Sequence, residues 1–250
     1  LASIPYDAIG KAKLLVKEDG IIAGIEFAKR VFDYVDPGLK LEQLMEDGTE
    51  VKYGDICFYV SGNSQSILKS ERLILNAMQR MSAISTKTKK FVELVAGTKT
   101  KILDTRKTIP GLRLAQKYAV TVGGCYNHRI GLYDAFLIKE NHIAACGGIA
   151  EAVAQARAIA ADKLVEVEVE SVAELQQALD AGVDVVMLDN FSPADIAALG
   201  SIDFGNTRIE VSGNITAETV QQYISSAVNY ISSGSLTKHI KAVDLSMRFI

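Results

Sequence analysis

The chain has 250 residues, with 27 Lys and Arg against 30 Asp and Glu, a formal net charge of −3 and 48% hydrophobic residues. That length suits one large α/β domain or two smaller ones, and the slight acidity excludes a bulk nucleic-acid binder, so any anion site must be a local concentration of cations. No apolar run reaches the ~18 residues of a membrane span, no signal-peptide pattern is present, and the three cysteines, Cys57, Cys125 and Cys146, lack metal spacing and fit a reduced, cytoplasmic protein.

Residues 11–60 alternate short strand-like runs with turns. Lys11–Lys17 reads as a strand before the turn Glu18-Asp19-Gly20, and Ile25–Phe32 as a short helix. Leu39–Met45 and Ile56–Val60 read as strands around Asp47-Gly48 and Tyr53-Gly54-Asp55. This is the pattern of an α/β sandwich distinct from the later part of the chain. Over 66–95, Leu68, Leu75, Met78, Phe91 and Leu94 recur at helical spacing, which predicts one or two bridging helices. Glu71 and Arg72 fall early in the first and read as a solvated face.

From Lys101 the pattern becomes a strand–helix repeat. Strand-like runs are 101–104, 135–139, 165–170, 185–189, 209–212 and 230–233; helix-like runs are 112–122, 149–161, 172–181, 193–199 and 217–227. Such alternation predicts parallel strands joined by right-handed crossovers. An open doubly wound sheet and a barrel are both compatible with it, but no Gly-x-Gly-x-x-Gly follows the first strand, which favours a barrel.

In a (β/α) barrel the reacting groups sit at the C-terminal ends of the strands. The first end carries Asp104-Thr105-Arg106-Lys107, which suits an anion because Arg offers a planar fork and Lys a point charge. A plain solvated basic turn is the alternative. Later ends carry Lys139-Glu140-Asn141-His142, Glu168 and Glu170, Asp189-Asn190, Ser212-Gly213-Asn214 and Ser233-Gly234-Ser235. Glycines there can bring backbone N–H groups close to a phosphate.

Val165-Glu166-Val167-Glu168-Val169-Glu170 alternates with period two, which points all three glutamates into the barrel if the valines face the helices; an edge strand with one wet face is the alternative. Buried carboxylates need partners, and Arg106, Lys107 and Lys139 are the candidates. The loop 123–131 adds His128, either an acid–base group or a positioning and anion-contacting one, and Arg129; Cys125 within it is a conceivable nucleophile. With no His-x-x-x-His, zinc is not expected. A divalent ion shared between Glu168, Asp189 and substrate phosphates fits better.

Several segments resemble the quinolinate phosphoribosyltransferase family (nicotinate-nucleotide pyrophosphorylase, carboxylating). They are Asp104-Thr105-Arg106-Lys107-Thr108-x-Pro110-Gly111-Leu112-Arg113, Asn127-His128-Arg129-x-Gly131-Leu132, Ile138–His142, Glu166–Glu170, Leu188–Phe191 and Val211–Asn214, and then the ending Leu236–His239 to Leu245–Arg248. The resemblance covers nearly the whole chain, in order. It implies an N-terminal α/β sandwich, here 1–97 with its bridging helices and with 239–250 packing back on it, and an open, TIM-like seven-stranded (β/α) barrel over 98–238. The family pattern begins a few dozen residues earlier, so a further segment is expected ahead of Leu1.

The implied reaction transfers phosphoribosyl from phosphoribosyl pyrophosphate to quinolinate, releasing pyrophosphate and CO₂ and giving nicotinate mononucleotide for NAD biosynthesis. The resemblance assigns Arg72, Arg106, His128, Arg129 and Lys139 to quinolinate. It assigns Lys107, Glu168, Asp189, Ser212, Gly213, Asn214, Ser233 and Gly234 to phosphoribosyl pyrophosphate, with Mg²⁺ held by Glu168 and Asp189. Lys107, Lys139, Glu168 and Asp189 would carry the chemistry. It also implies a homodimer or higher assembly in which Glu71 and Arg72 reach the partner's site, with no nucleic acid or membrane involved.

Overall fold

A computed structural model describes residues 1–250. The chain divides into two compact units, one of residues 1–89, 114–124 and 239–250, the other of residues 90–113 and 125–238. No helix is long and apolar enough to cross a membrane.

The first unit is built on an antiparallel sheet. Strands β1 (Ile9–Val16), β3 (Lys40–Gln43), β5 (Ile56–Asn63) and β12 (Leu245–Phe249) pair in the order β12-β1-β5-β3. A two-stranded piece, β2 (Gly20–Ile21) with β4 (Glu50–Val51), completes its strands. The chain's last strand is thus tied to its first, with Leu14 opposite Met247. Alternation in β1 sends Ala12, Leu14 and Val16 inward, where they are buried with Phe32 of helix α1 (Ile25–Val35), Phe58, and Ile67, Ile74 and Met78 of helix α2 (Ser64–Leu94). Phe32 and Phe58 meet edge-to-face at 6.0 Å. The helical pattern over 66–95 therefore resolves into a single helix of 31 residues. Helix α3 (Arg113–Val122) also contributes most of its length to this unit, with Ser85 Oγ donating to Ala119 O at 2.8 Å.

The second unit is a parallel sheet. Its strands are β6 (Lys101–Leu103), β7 (Phe136–Ile138), β8 (Val165–Val169), β9 (Val185–Asp189), β10 (Arg208–Ser212) and β11 (Tyr230–Ser232), ordered β6-β11-β10-β9-β8-β7. One cavity is lined by residues from β7 to β11 and by the turn that leaves β6, which requires the sheet to curl around it. A seventh strand position is reduced to one parallel bridge between Leu103 and Tyr126, held by Tyr126 N–H to Ile102 O at 2.9 Å and Asp104 N–H to Tyr126 O at 3.1 Å. The ring opens beyond that stub, on the free edge of β7. Helices α5 (Ile149–Ile159) and α6 (Val172–Asp180) cover β7, β8 and β9 from outside.

Three sequence expectations need correction. The helix expected over 217–227 is only a 3₁₀ turn, Val220–Tyr223. Thr216 and Thr219 bond to each other there, the Thr216 N–H donating to Thr219 Oγ1 at 3.0 Å, which competes with helix formation. Helix α4 (Glu140–Cys146) starts where the sequence read only a charged strand end; Lys139 N–H donates to His142 Nδ1 at 3.0 Å and closes its first turn. Finally, Glu170 lies beyond the end of β8 and is exposed, its N–H donating to Glu174 Oε2 at 2.7 Å, so only Glu166 and Glu168 enter the barrel.

Candidate active site

Strand register places the interior residues. Glu166 and Glu168 of β8 lie opposite Val185 and Met187 of β9, which lie opposite Arg208 and Glu210 of β10; one step further, Asp189 faces Ser212. Alternate residues share a face; Glu168, Asp189 and Ser212 line the cavity at the strand ends and form an upper layer, whereas Glu166 and Glu210 do not line it and come together around His128 as a lower layer.

The upper layer opens into a cavity of about 360 Å³ lined by Arg106, Lys107, His128, Arg129, Lys139, Glu168, Asp189 and Ser212, with Thr105, Leu137, Met187 and Ser232. Four cations and two carboxylates converge there although the chain as a whole is slightly acidic. Lys139 Nζ and Glu168 Oε2 form an ion pair. Asp189 Oδ2 accepts from Asn190 Nδ2 at 2.8 Å. The turn bearing Arg106 and Lys107 is fixed through its backbone: Lys107 N–H donates to Thr105 Oγ1 at 3.2 Å, and Lys107 O accepts from Thr237 Oγ1 at 3.0 Å.

The polar strand ends form close backbone contacts. Asn190 and Asn214 adopt left-handed backbone, with φ of 57° and 49°. Gly213 has φ 107°, and a Cβ there would lie 2.7 Å from Asn190 N, so only glycine lets the two loops meet. A Cβ on Gly234 would come within 3.1 Å of Lys107 Cδ. Gly213, Asn214, Ser233 and Gly234 do not line the cavity with the charged groups; they border its strand ends, and Ser233 is buried with its Oγ donating to Ile215 O at 2.5 Å.

The loop carrying His128 and Arg129 occupies the place of the reduced strand. His128 N–H donates to Asp104 Oδ1 at 2.9 Å. His128 Nε2 lies 2.9 Å from Glu166 Oε2, its Nδ1 accepts from Arg129 N–H at 2.9 Å, and Arg129 Nη1 donates to Ala135 O at 3.1 Å. Burial, then the nearby Arg106 charge, pulls the Arg129 guanidinium below its usual pKa. Burial pushes the carboxyl groups of Glu166 and Glu210 upward, and for Glu210 the neighbouring Glu166 charge pushes the same way. Cys125 is buried, and burial pushes its thiol up to about 12, which disfavours the thiolate a nucleophile needs at neutral pH.

The quinolinate phosphoribosyl transferase N-terminal domain model matches residues 1–82, and the C-terminal domain model of the same family matches residues 84–248. The chain belongs to the quinolinate phosphoribosyl transferase family. A probable nicotinate-nucleotide pyrophosphorylase (carboxylating) of Bacillus subtilis is 41% identical over 238 residues, 95% of this chain and 82% of that protein. Among solved structures, the nicotinate-nucleotide pyrophosphorylase from Francisella tularensis is 47% identical with a TM-score of 0.93, covering all of this chain and 89% of the other. NadC from Streptococcus pyogenes is 43% identical with a TM-score of 0.92 over 99% of this chain and 88% of the other.

Within this family member, the sequence-expected residues divide by unit. Arg106, Lys107, His128, Arg129, Lys139, Glu168, Asp189 and Ser212 come together around one cavity. Glu71 and Arg72 are on α2 in the first unit, Arg72 exposed and Glu71 half-buried. Sequence reasoning missed Glu210, which has no alternating acidic neighbours to signal it and shows its depth only through its burial and its closeness to His128. It also missed that both ring nitrogens of His128 are occupied within the chain.

Proposed function

We propose that the upper cavity joins phosphoribosyl pyrophosphate to quinolinate, with loss of pyrophosphate and CO₂, to give nicotinate mononucleotide. The observation that carries this reading is the meeting of Arg106, Lys107, Arg129 and Lys139 with Glu168 and Asp189 around one cavity. Two polyanions must be held side by side in this reaction, and a shared cationic wall suits them better than isolated surface charges do.

In this reading Arg106, Arg129 and Lys139 take the two quinolinate carboxylates, the guanidinium forks pairing with them in bidentate fashion. Arg72 of a partner subunit completes that set in a homodimer. Lys107 faces the pyrophosphate. Glu168 and Asp189 take the ribose hydroxyls, and the backbone of Ser212-Gly213-Asn214 and Ser233-Gly234 takes the 5′-phosphate. His128 forms part of the wall and presents no free ring nitrogen.

Glu168 and Asp189 also suit Mg²⁺. They end adjacent strands, each has an oxygen beyond the one engaged by Lys139 or Asn190, and Mg²⁺ favours one or two carboxylates plus water and substrate oxygens. Bound there with the cosubstrate, the ion would supply charge neutralisation to the departing pyrophosphate. The chain's own residues do the orienting. The pyridine nitrogen attacks the ribose carbon as the bond to pyrophosphate breaks, with Lys107 and Lys139 meeting the growing negative charge. The ring nitrogen, now positive, stabilises the electron pair left when the adjacent carboxylate departs as CO₂, and a proton then replaces it.

Incubation with quinolinate, phosphoribosyl pyrophosphate and Mg²⁺, monitored by mass, is expected to give nicotinate mononucleotide and one CO₂ per turnover. Turnover of nicotinate without CO₂ release would assign the site to a non-decarboxylating relative instead. A Schiff base at Lys139 is disfavoured because its ammonium is ion-paired with Glu168 and offers no lone pair.

A further inference from the structure

The lower layer of the barrel has no part in the proposed reaction. Glu166 and Glu210 are 3% and 1% exposed there, and Oε1 of each has no hydrogen-bond partner. Potential ligand atoms of His128, Glu166 and Glu210 lie within 4.8 Å of one another, a spacing that invites a metal reading. The imidazole decides against it. Nδ1 accepts from the Arg129 N–H and so must carry its lone pair, and the neutral ring's one proton is then on Nε2. A metal at Nε2 would force that proton onto Nδ1, where it would meet the Arg129 N–H donor to donor. The Nε2–H can donate, and Glu166 Oε2 is 2.9 Å away, whereas Glu210 Oε1, at 3.6 Å, is too far to accept.

We infer that Glu166 is a positioning residue that acts through His128: by accepting from Nε2–H it holds the imidazole in one tautomer, and the ring's Nδ1 in turn holds the Arg129 backbone. Arg129 is the cation whose placement depends on this chain of bonds. Its segment has no strand neighbour beyond the bridge at Tyr126, so side chains replace the ladder that would otherwise fix it. Without the Glu166 acceptor, the ring's remaining options are the opposite tautomer, which meets the Arg129 N–H donor to donor, or rotation away. Either releases Arg129 from the wall of the upper cavity. The effect is selective, because Arg129 faces quinolinate in the proposed reading and the groups given to phosphoribosyl pyrophosphate belong to other strand ends. The kinetic consequence rests on that reading; the tautomer does not.

The test uses the full chain, which has only three histidines, His128, His142 and His239. With ¹⁵N-labelled imidazoles at pH 7.5, His128 is expected as the neutral Nε2–H form in the wild type and in Glu166→Gln, whose amide oxygen still accepts. Glu210→Gln, which alters the neighbouring buried carboxyl at the same depth without removing the Glu166 acceptor, should also keep it. Glu166→Leu should lose that form and raise the quinolinate KM about tenfold or more, with the phosphoribosyl pyrophosphate KM within about twofold. Glu166→Gln should restore most of the quinolinate affinity. A Nδ1–H ring or an imidazolium in the wild type would overturn the inference. So would equal rises in both KM values in Glu166→Leu, or a loss in Glu166→Gln or Glu210→Gln as large as in Glu166→Leu. If the wild type turned over no quinolinate, the functional reading would fail, while the tautomer measurement would still test the contact.

Discussion

Lys139 ends β7 with its ammonium against the Glu168 carboxylate, inside a cavity it shares with Arg106 and Arg129. Removing it leaves a carboxylate unpaired and takes one charge from a prearranged anion site. Lys139→Ala is therefore expected to lower kcat/KM by about 10²-fold or more; steady-state rates within threefold of wild type would discard its role. Gly213 poses the opposite demand, for no side chain at all. Gly213→Ala places a methyl against Asn190 at a positive φ, and is expected to cost on the order of 1–3 kcal/mol in urea unfolding and to raise the phosphoribosyl pyrophosphate KM more than that of quinolinate. At this scale the sequence was informative about charge type and strand-end position, because Asp104-Thr105-Arg106-Lys107 and Lys139 stand next to apolar runs. It could not show the proton on His128, which depends on Glu166, 38 positions away in the chain.

Among elements, β8 was the most legible, since its strict alternation survives folding: Val165, Val167 and Val169 are fully buried and Glu166 and Glu168 face the interior. The period said nothing of where the strand stops, and Glu170 fell outside. Helix α4 and the missing helix at 217–227 were misread for a related reason, because short elements are decided by side-chain bonds at their ends and not by periodicity. The pairing of Glu166 on β8 with Glu210 on β10 is a tertiary fact, and it predicts how stability responds to pH. Burial and the mutual charge raise Glu210 to about 8, against 4.5 for the unperturbed carboxyl. Between those values the folded chain holds a proton that the unfolded chain has released. Stability should then fall as pH rises from about 5 to 8, by up to ~1.4 kcal/mol per pH unit for that proton. Glu210→Gln, which stays neutral throughout, should flatten the slope of urea-derived stability over this window. An unchanged slope in that variant would mean the carboxyl is ionised in the fold.

For the whole molecule, the parallel-sheet architecture follows from the change of period near residue 100, from antiparallel strands and turns to alternating strands and helices, whereas the family models meet earlier, at residues 82 and 84. What single-chain sequence logic cannot assign is Arg72. It is exposed on a helix otherwise anchored by Ile67, Ile74 and Met78, and Leu73 beside it is 56% exposed, an apolar neighbour left on the surface. If Arg72 serves the quinolinate site of a second copy, each site draws on two chains, and defects can be sorted between them. An Arg72→Ala protein and a Lys139→Ala protein are each expected to be nearly inactive alone. In a heterodimer of the two, one site receives both wild-type residues and the other receives neither. With equal mixing, half the dimers are mixed and half of their sites are intact, so activity should recover to about a quarter of the wild-type value. A site built within one chain predicts no recovery at any mixing ratio, because every copy then carries its own lesion. Subunit exchange, tracked with two differently tagged copies, makes that outcome decisive: mixed dimers present and activity still absent would mean that Arg72 does not serve the partner's site.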